Sequence, residues 1–348
     1  MASALTKASD PREAADRGAG RFTRPRLGFV GVGWIGRLRM EAVAASGIAK
    51  ISAIADTSAG IRRAAGEAVP EAEQMDSFEA LLELPLDGVV IATPSGLHAE
   101  QSMAALDRGL AVFCQKPLGR TAAEVATVVE SARRADRLLG VDLSYRAAAA
   151  FDQVRRLVQS GRIGDIYTAD LVFHNAYGPD KAWFYDPAKA GGGCVMDLGI
   201  HLVDMALWTL GFPEVEAVGS RLYAAGRPLA GSHQVEDYAT ARLDIVGGAS
   251  VRLACSWNLH AGQDAEIAAT FYGTEGAASV RNMDGSFYDF VAERFDGTSR
   301  ERLVSPPDPW GGRAAVGWAE RLAAGEGFDP AVRQLVTVAE VLDRIYGR

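Results

Sequence analysis

The sequence predicts an α/β chain that opens with a doubly wound parallel sheet and continues into a second region rich in strands. Three observations carry this. Apolar strand-like runs alternate with amphipathic helical stretches from Arg26 to Leu143. The first of these strands runs into glycines at 31, 33 and 36 that lead straight into a helix. From Ile166 onward, strand-like runs dominate. The 348 residues suffice for two domains, and a composition of 48% hydrophobic and 23% charged residues marks a globular chain with ample core.

The run Arg26-Leu-Gly-Phe-Val-Gly-Val-Gly-Trp-Ile-Gly36 reads as a strand, a tight turn and a helix from Ile35 to about Ala45. It is the Gly-x-Gly-x-x-Gly fingerprint of a Rossmann dinucleotide-binding unit in its required setting. Gly31 permits the turn, Gly33 lets a pyrophosphate approach the backbone, and Gly36 lets the helix pack close to the strand. Trp34 and Ile35 belong to the same turn and count among the cofactor-binding residues. The phosphates would sit on free N–H groups at the helix N-terminus. A second strand, Ile51–Ala55, leads to Asp56, about twenty residues past the last glycine, where a ribose diol is expected. A carboxylate there accepts from a 2′-hydroxyl and repels a 2′-phosphate, which favours NAD over NADP, while Arg62 nearby keeps NADP possible. Capping a strand end or a helix is the plainer role open to Asp56.

The alternation continues through strand 88–92, helix Leu97–Arg108, strand Leu110–Cys114, helix Ala122–Ala135 and strand Leu139–Leu143. Ligands of such sheets bind beyond the carboxyl ends of the strands. Thr93, Pro94, His98, Gln115 and Lys116 fall there and are expected to bind the cofactor, with His98 bracing the helix that follows Thr93-Pro94.

Residues 191–208 hold the most informative segment. A glycine loop read as flexible feeds a helix carrying Asp197 and His201 four residues apart, on one face about a turn from each other. A carboxylate beside an imidazole moves protons near neutral pH. The same spacing also occurs in exposed ion pairs and in half a metal site. No second His or Cys stands at a metal-ligand spacing, and Cys114, Cys194 and Cys255 form no CxxC, so no metal is expected.

These runs together resemble the Gfo/Idh/MocA oxidoreductases, the family of glucose–fructose oxidoreductase and inositol dehydrogenase. The matching stretches are Gly31-Val-Gly-Trp-Ile-Gly36, Ala92-Thr-Pro-Ser-Gly-Leu-His98, Lys116-Pro117, Tyr145-Arg146, and Gly191-Gly-Gly through Asp197-Leu-Gly-Ile-His201-Leu-Val-Asp204. The resemblance implies a Rossmann domain followed by an α+β domain with a large, mostly antiparallel open sheet used for assembly into a homodimer or homotetramer. It also implies an active site of Lys116, Asp197 and His201 around a nicotinamide. One departure stands out: Gln115 occupies the place of the family's glutamate before Lys-Pro. Glutamine still bonds a nicotinamide ribose but brings no charge, which leaves Lys116 less favoured as a cation.

The expected reaction is hydride exchange between NAD and a secondary alcohol of a sugar, polyol or inositol-like ring. His201 is the expected general base, or acid in the reducing direction. Asp197 is expected to orient it or to bond the same hydroxyl, and Lys116 to stabilise the incipient alkoxide. Tyr145, Arg146 and Trp183 are the candidate substrate contacts, with a domain-interface role as the alternative for the first two. Loop anchoring is the alternative for Trp183 and its neighbours Phe184 and Tyr185. His174, His233 and His260 are read as structural. Two other functions share the fold: an NAD-dependent glycosidase with an internal redox cycle, and a non-catalytic NAD-binding regulator.

A formal charge of −8 argues against nucleic acid or an anionic membrane as partner. Three scattered cysteines fit a reducing cytoplasm. Residues 1–25 read as a disordered leader, 26–145 as the dinucleotide domain and 146–348 as the substrate and assembly domain. No stretch is read as a membrane span.

Overall fold

The computed structural model describes residues 24–231 and 233–348. The leader expected over residues 1–25 therefore lies, but for Arg24 and Pro25, outside the described residues. The first sheet has six parallel strands: β1 (Arg26–Val30), β2 (Lys50–Ala55), β3 (Glu73–Met75), β4 (Gly88–Ile91), β5 (Ala111–Gln115) and β6 (Leu139–Asp142). Their order is β3-β2-β1-β4-β5-β6, so the chain reverses its winding between β1 and β4 and opens a crevice at their carboxyl ends. The connecting helices are α1 (Trp34–Ser46), α2 (Ala59–Gly66), α3 (Phe78–Leu82), α4 (His98–Asp107) and α5 (Ala122–Ala135). The sequence reading omits β3, whose Glu-Gln-Met carries no apolar alternation. Ser58, Ser77 and Thr121 cap α2, α3 and α5 by accepting backbone N–H bonds. α1 differs: its cap is Gly33, which offers no side chain, so its first amides stay free for a ligand.

Helix α6 (Ala149–Gln159) leads into the second sheet. Its strands are β7 (Ile166–Asn175), β8 (Val215–Ala224), β9 (Arg227–Pro228), β10 (Tyr238–Ile245), β11 (Ser250–Ser256), β12 (Ala265–Gly273), β13 (Gly276–Asn282), β14 (Phe290–Asp296) and β15 (Ser299–Val304). The order is β15-β14-β13-β12-β7-β11-β10-β8-β9, antiparallel throughout except for β7 beside β11. This is the large, mostly antiparallel sheet expected. Between β7 and β8 lie the short α7 (Pro187–Ala190) and α8 (Ile200–Leu210), and after β15 come α9 (Arg313–Ala323) and α10 (Gln334–Tyr346). One sheet face buries Leu171, Phe173, Leu243 and Leu253 in a core shared with α6, α8 and α10. The other carries exposed pairs such as Arg252–Asp170 and Arg242–Asp244.

Not every element after residue 146 packs on the second sheet. α9 returns to the first sheet, where Ala315, Trp318 and Ala319 join the core of Phe29, Met40 and Phe113. The Trp318 and Phe113 rings lie 5.7 Å apart. A 3₁₀ turn, Pro330–Arg333, precedes α10, which packs on both α5 and α8. The absence of a candidate membrane span also needs correction. Pro187–Leu210 is long and apolar enough by composition, but 83% of its apolar window is buried inside the protein, where it serves as a core helix.

Candidate active site

The glycine turn meets its chemical requirements. Gly31 sits at φ +78°, where a side chain is strained, and a Cβ there would press on the Ala92 carbonyl. A Cβ on Gly36 would collide with the Gly31 carbonyl, whereas one on Gly33 would meet no atom within 4 Å. The open space at Gly33, beside the uncapped amides of α1, is a cradle for a pyrophosphate. Trp34 stands 71% exposed on the rim of this turn, with Ile35 half-buried beside it. Asp56 turns one carboxylate oxygen to Val32 N–H at 3.1 Å and the other to Ser58 N–H at 2.9 Å. It thus ties the glycine turn to the end of β2 and also serves the local turn. Arg62 donates to the Asp56 backbone carbonyl.

Across the sheet ends, Thr93 commits its hydroxyl to Gln101 at 2.6 Å, and Pro94 opens a 3₁₀ turn, Ser95–Leu97. His98 is buried, its two ring nitrogens each 2.7 Å from a carbonyl oxygen, Nδ1 from Pro117 and Nε2 from Thr93. It braces two strand-end loops. Burial lowers its pKa, with Lys116 adding to that and the two carbonyls opposing it.

Lys116, just past β5, reaches across to the second domain. Its Nζ donates at 2.6 Å to both the Asp197 backbone oxygen and Oδ1. Trp257 Nε1 donates to Asp197 Oδ2 at 3.0 Å. Asp197 thus holds Lys116, and among the described residues it makes no bond to His201. This corrects the expectation that Asp197 orients the imidazole. The physical reason lies in the helix: Asp197 sits in a π-turn, Val195–Gly199, and only from Ile200 does the chain become the α-helix that carries His201. His201 is 7% exposed, with the Tyr145 ring edge-on at 4.9 Å. Burial first, then the charges of Lys116 and Arg39, push its pKa well below the ordinary value. The shift favours the neutral imidazole.

The glycine loop is not a flexible feeder. A Cβ on Gly192 would overlap the Tyr346 hydroxyl, and one on Gly193 would overlap the Glu236 carbonyl, so these glycines exist for close packing. Glu236, 1% exposed, accepts on Oε1 from Gly193 N–H, Val195 N–H and Tyr346 Oη–H at 2.8–2.9 Å. It anchors the turn that presents Asp197, and burial raises its carboxyl pKa. Sequence reasoning missed both Glu236 and the Trp257 bond to Asp197, for which no local signal exists.

Two candidate substrate contacts, Arg146 and Tyr145, are engaged by neighbouring side chains. Arg146 pairs bidentately with buried Asp204 through Nε and Nη2 and lies over the Trp208 and Phe212 rings. Tyr145 is buried among Phe151, Phe173, Phe290 and Trp310, and burial raises its hydroxyl pKa. Trp183 stacks on Phe184 at 3.8 Å, and Tyr185 lies 5.6 Å from Trp257, so an aromatic wall flanks the Asp197 side of the site. His174 bonds Ser256 Oγ and stacks on Tyr238, while His233 and His260 are exposed. The described residues bring no three His, Cys, Asp or Glu side chains into a metal-holding cluster. The cysteines are free thiols, with Cys194 and Cys255 Sγ 3.8 Å apart.

Residues 25–143 match the family described as an oxidoreductase family with an NAD-binding Rossmann fold, and residues 151–279 match the GFO/IDH/MocA C-terminal domain. The chain belongs to the GFO/IDH/MocA oxidoreductase family. Among curated relatives, it is 26% identical over 243 residues to the D-glucoside 3-dehydrogenase of Escherichia coli, covering 66% of this chain and 69% of that one. It is 27% identical over 259 residues to the inositol 2-dehydrogenase of Rhizobium meliloti, covering 74% and 76%. Aligned stretches span 58% to 76% of the first curated relatives' lengths. A levoglucosan dehydrogenase solved with NADH and levoglucosan shares the fold, with a TM-score of 0.80, 22% identity and coverage of 93% and 97%.

Proposed function

We propose that the protein is an NAD-dependent oxidoreductase interconverting a secondary alcohol and a ketone on a sugar, polyol or inositol-like ring. The observation that carries this is the Lys116–Asp197–Trp257 assembly, with a buried neutral His201 on the following helix, at the crevice of a sheet whose glycine turn fits a dinucleotide. The names of the relatives, dehydrogenases of glucosides and inositol, support the substrate class.

Gly31, Gly33 and Gly36 would admit the pyrophosphate, Asp56 a ribose hydroxyl, and Gln115 and Lys116 the nicotinamide end. Bound there, nicotinamide supplies hydride exchange with a carbon that bears oxygen. His201 takes the proton of the substrate hydroxyl through its neutral ring, which burial keeps free to accept it. Lys116, held by Asp197, places its ammonium where negative charge gathers on the substrate oxygen; in a half-buried cleft that charge acts more strongly than in water. Trp257 and Lys116 together fix the Asp197 carboxylate, and the aromatic wall of Trp183, Phe184 and Tyr185 supports a sugar ring by stacking. The face of the second sheet turned away from α6, α8 and α10 would be the surface for assembly into a homodimer or homotetramer.

The test is a panel of inositols, aldoses and glycosides incubated with purified protein and NAD, read by NADH absorbance. Growth of NADH with a ring polyol or aldose supports the proposal. Glycoside cleavage without net NADH would replace it with the internal redox cycle.

A further inference from the structure

Gln115 ends β5 and Asp142 ends β6, directly opposite each other in the parallel register. Gln115 Nε2 donates to Asp142 Oδ2, and the same oxygen receives Arg39 Nε of α1 at 2.6 Å. All three side chains belong to buried residues, Asp142 at 1% and none above 8% exposed. Arg39 also donates to the Gly311 carbonyl, and Asp142 Oδ1 has no partner among the described residues.

The chemistry fixes the amide's orientation. A carboxylate paired with arginine offers only acceptors, so the end of Gln115 turned toward Asp142 must be its NH2, whichever way a carboxamide is drawn. Its oxygen is then turned away from Asp142. Gln115 immediately precedes Lys116 at the carboxyl end of the sheet, where the crevice lies.

We propose that Asp142 is a positioning residue that fixes Gln115 as a hydrogen-bond acceptor for a ribose hydroxyl of the bound dinucleotide. The carboxylate sits one strand further back, neutralised by Arg39, and an uncharged side chain does the accepting. This inference rests on the dinucleotide reading above.

Exchanging the two groups tests it. NAD affinity is measured by tryptophan-fluorescence quenching from about pH 6 to about pH 8.5, for wild type, Gln115→Glu, Asp142→Asn and the double variant. Gln115→Glu sets two carboxylates side by side. At the alkaline end it loses about tenfold in affinity, the scale of one buried hydrogen bond. The loss recovers toward pH 6, where one carboxyl of the pair holds a proton, donates to the other and restores the wild-type arrangement. In Gln115→Glu/Asp142→Asn the new asparagine NH2 donates to the new glutamate. This variant recovers part of the affinity that Gln115→Glu loses, with a flat pH profile, because a single carboxylate again receives an amide NH2, although Arg39 Nε loses the oxygen it shared with Gln115. Asp142→Asn alone leaves the amide free to turn and binds more weakly than the double variant. Wild-type affinity in Gln115→Glu across the pH range, or a double variant no better than Gln115→Glu, overturns the proposal. Failure of the wild type itself to bind NAD overturns the dinucleotide reading instead, so the two failures are distinct.

Discussion

Trp257 Nε1 donates to Asp197 Oδ2 at 3.0 Å, while Lys116 Nζ occupies Oδ1, so the carboxylate is clamped from both domains. The indole is 2% exposed and packs against the Tyr185 ring. Its bond to a charged acceptor is of the kind that contributes about 1.5–3 kcal/mol.

Trp257→Phe keeps the packing and removes the donor. We expect turnover to fall about tenfold or more, in line with that contribution, with NAD affinity unchanged. Steady-state kinetics beside a cofactor titration check it. Unchanged turnover would mean that the clamp does not orient Lys116.

His201→Asn should lose at least about 10²-fold in turnover while still binding NAD, the scale of general acid–base assistance. Because the pKa of His201 lies well below the usual 6.5, oxidation by the wild type should hold level through neutral pH and fall only on the acid side. A rate that climbs steeply from pH 7 to pH 8 would assign the base elsewhere.

His98, His174 and His201 are all buried, each with its pKa lowered first by burial. Below 6.5 the unfolded chain binds protons that the folded chain refuses, so stability is present above that pH and is lost as the pH drops. The raised carboxyl of Glu236 works in the opposite sense, being favoured by acid. Thermal melts from neutral to mildly acid pH should therefore show a falling Tm whose slope flattens in His174→Gln. An unchanged slope in that variant would contradict the assignment of His174.

Gly192→Ala would drive a Cβ into the Tyr346 hydroxyl. Overpacking of this kind costs about 1–3 kcal/mol. We expect a lower urea midpoint and reduced turnover together, because Tyr346 and the glycine loop share the Glu236 anchor beneath Asp197. A variant as stable as wild type would show the loop to be loose after all.

Asp56→Ala removes the carboxylate expected to reject a 2′-phosphate, with Arg62 already on the same turn. The wild type should prefer NAD, and the variant should shift toward NADP by about tenfold or more, the worth of one or two charge interactions. Equal use of both cofactors by the wild type would remove Asp56 from this role.

The parts of the site that were legible in the sequence are those whose chemistry is local. The glycine turn and Asp56 follow from backbone requirements within one βαβ unit, and Lys116 from its place after a strand. Its clamp was not legible, because Lys116 and Asp197 stand 81 residues apart and Trp257 another 60 beyond Asp197. A glycine run also looks the same whether it supplies freedom or close approach; only Tyr346 and Glu236, brought in from distant elements, show that this one packs. Four-residue spacing suggested an Asp197–His201 pair, but the π-turn at Val195–Gly199 sends the two side chains to different partners. Strand β3 was not legible because it is short and carries no apolar period.

The central claim is that Lys116, held by Asp197 at the nicotinamide end, contributes chiefly to the chemistry and little to the hold on the dinucleotide. Its most direct test is net NADH formation by wild type and Lys116→Ala on one accepted polyol, with NAD affinity measured for both. The account predicts similar NAD affinity and a turnover loss of about 10²-fold or more in the variant. Near-normal turnover in Lys116→Ala would contradict it.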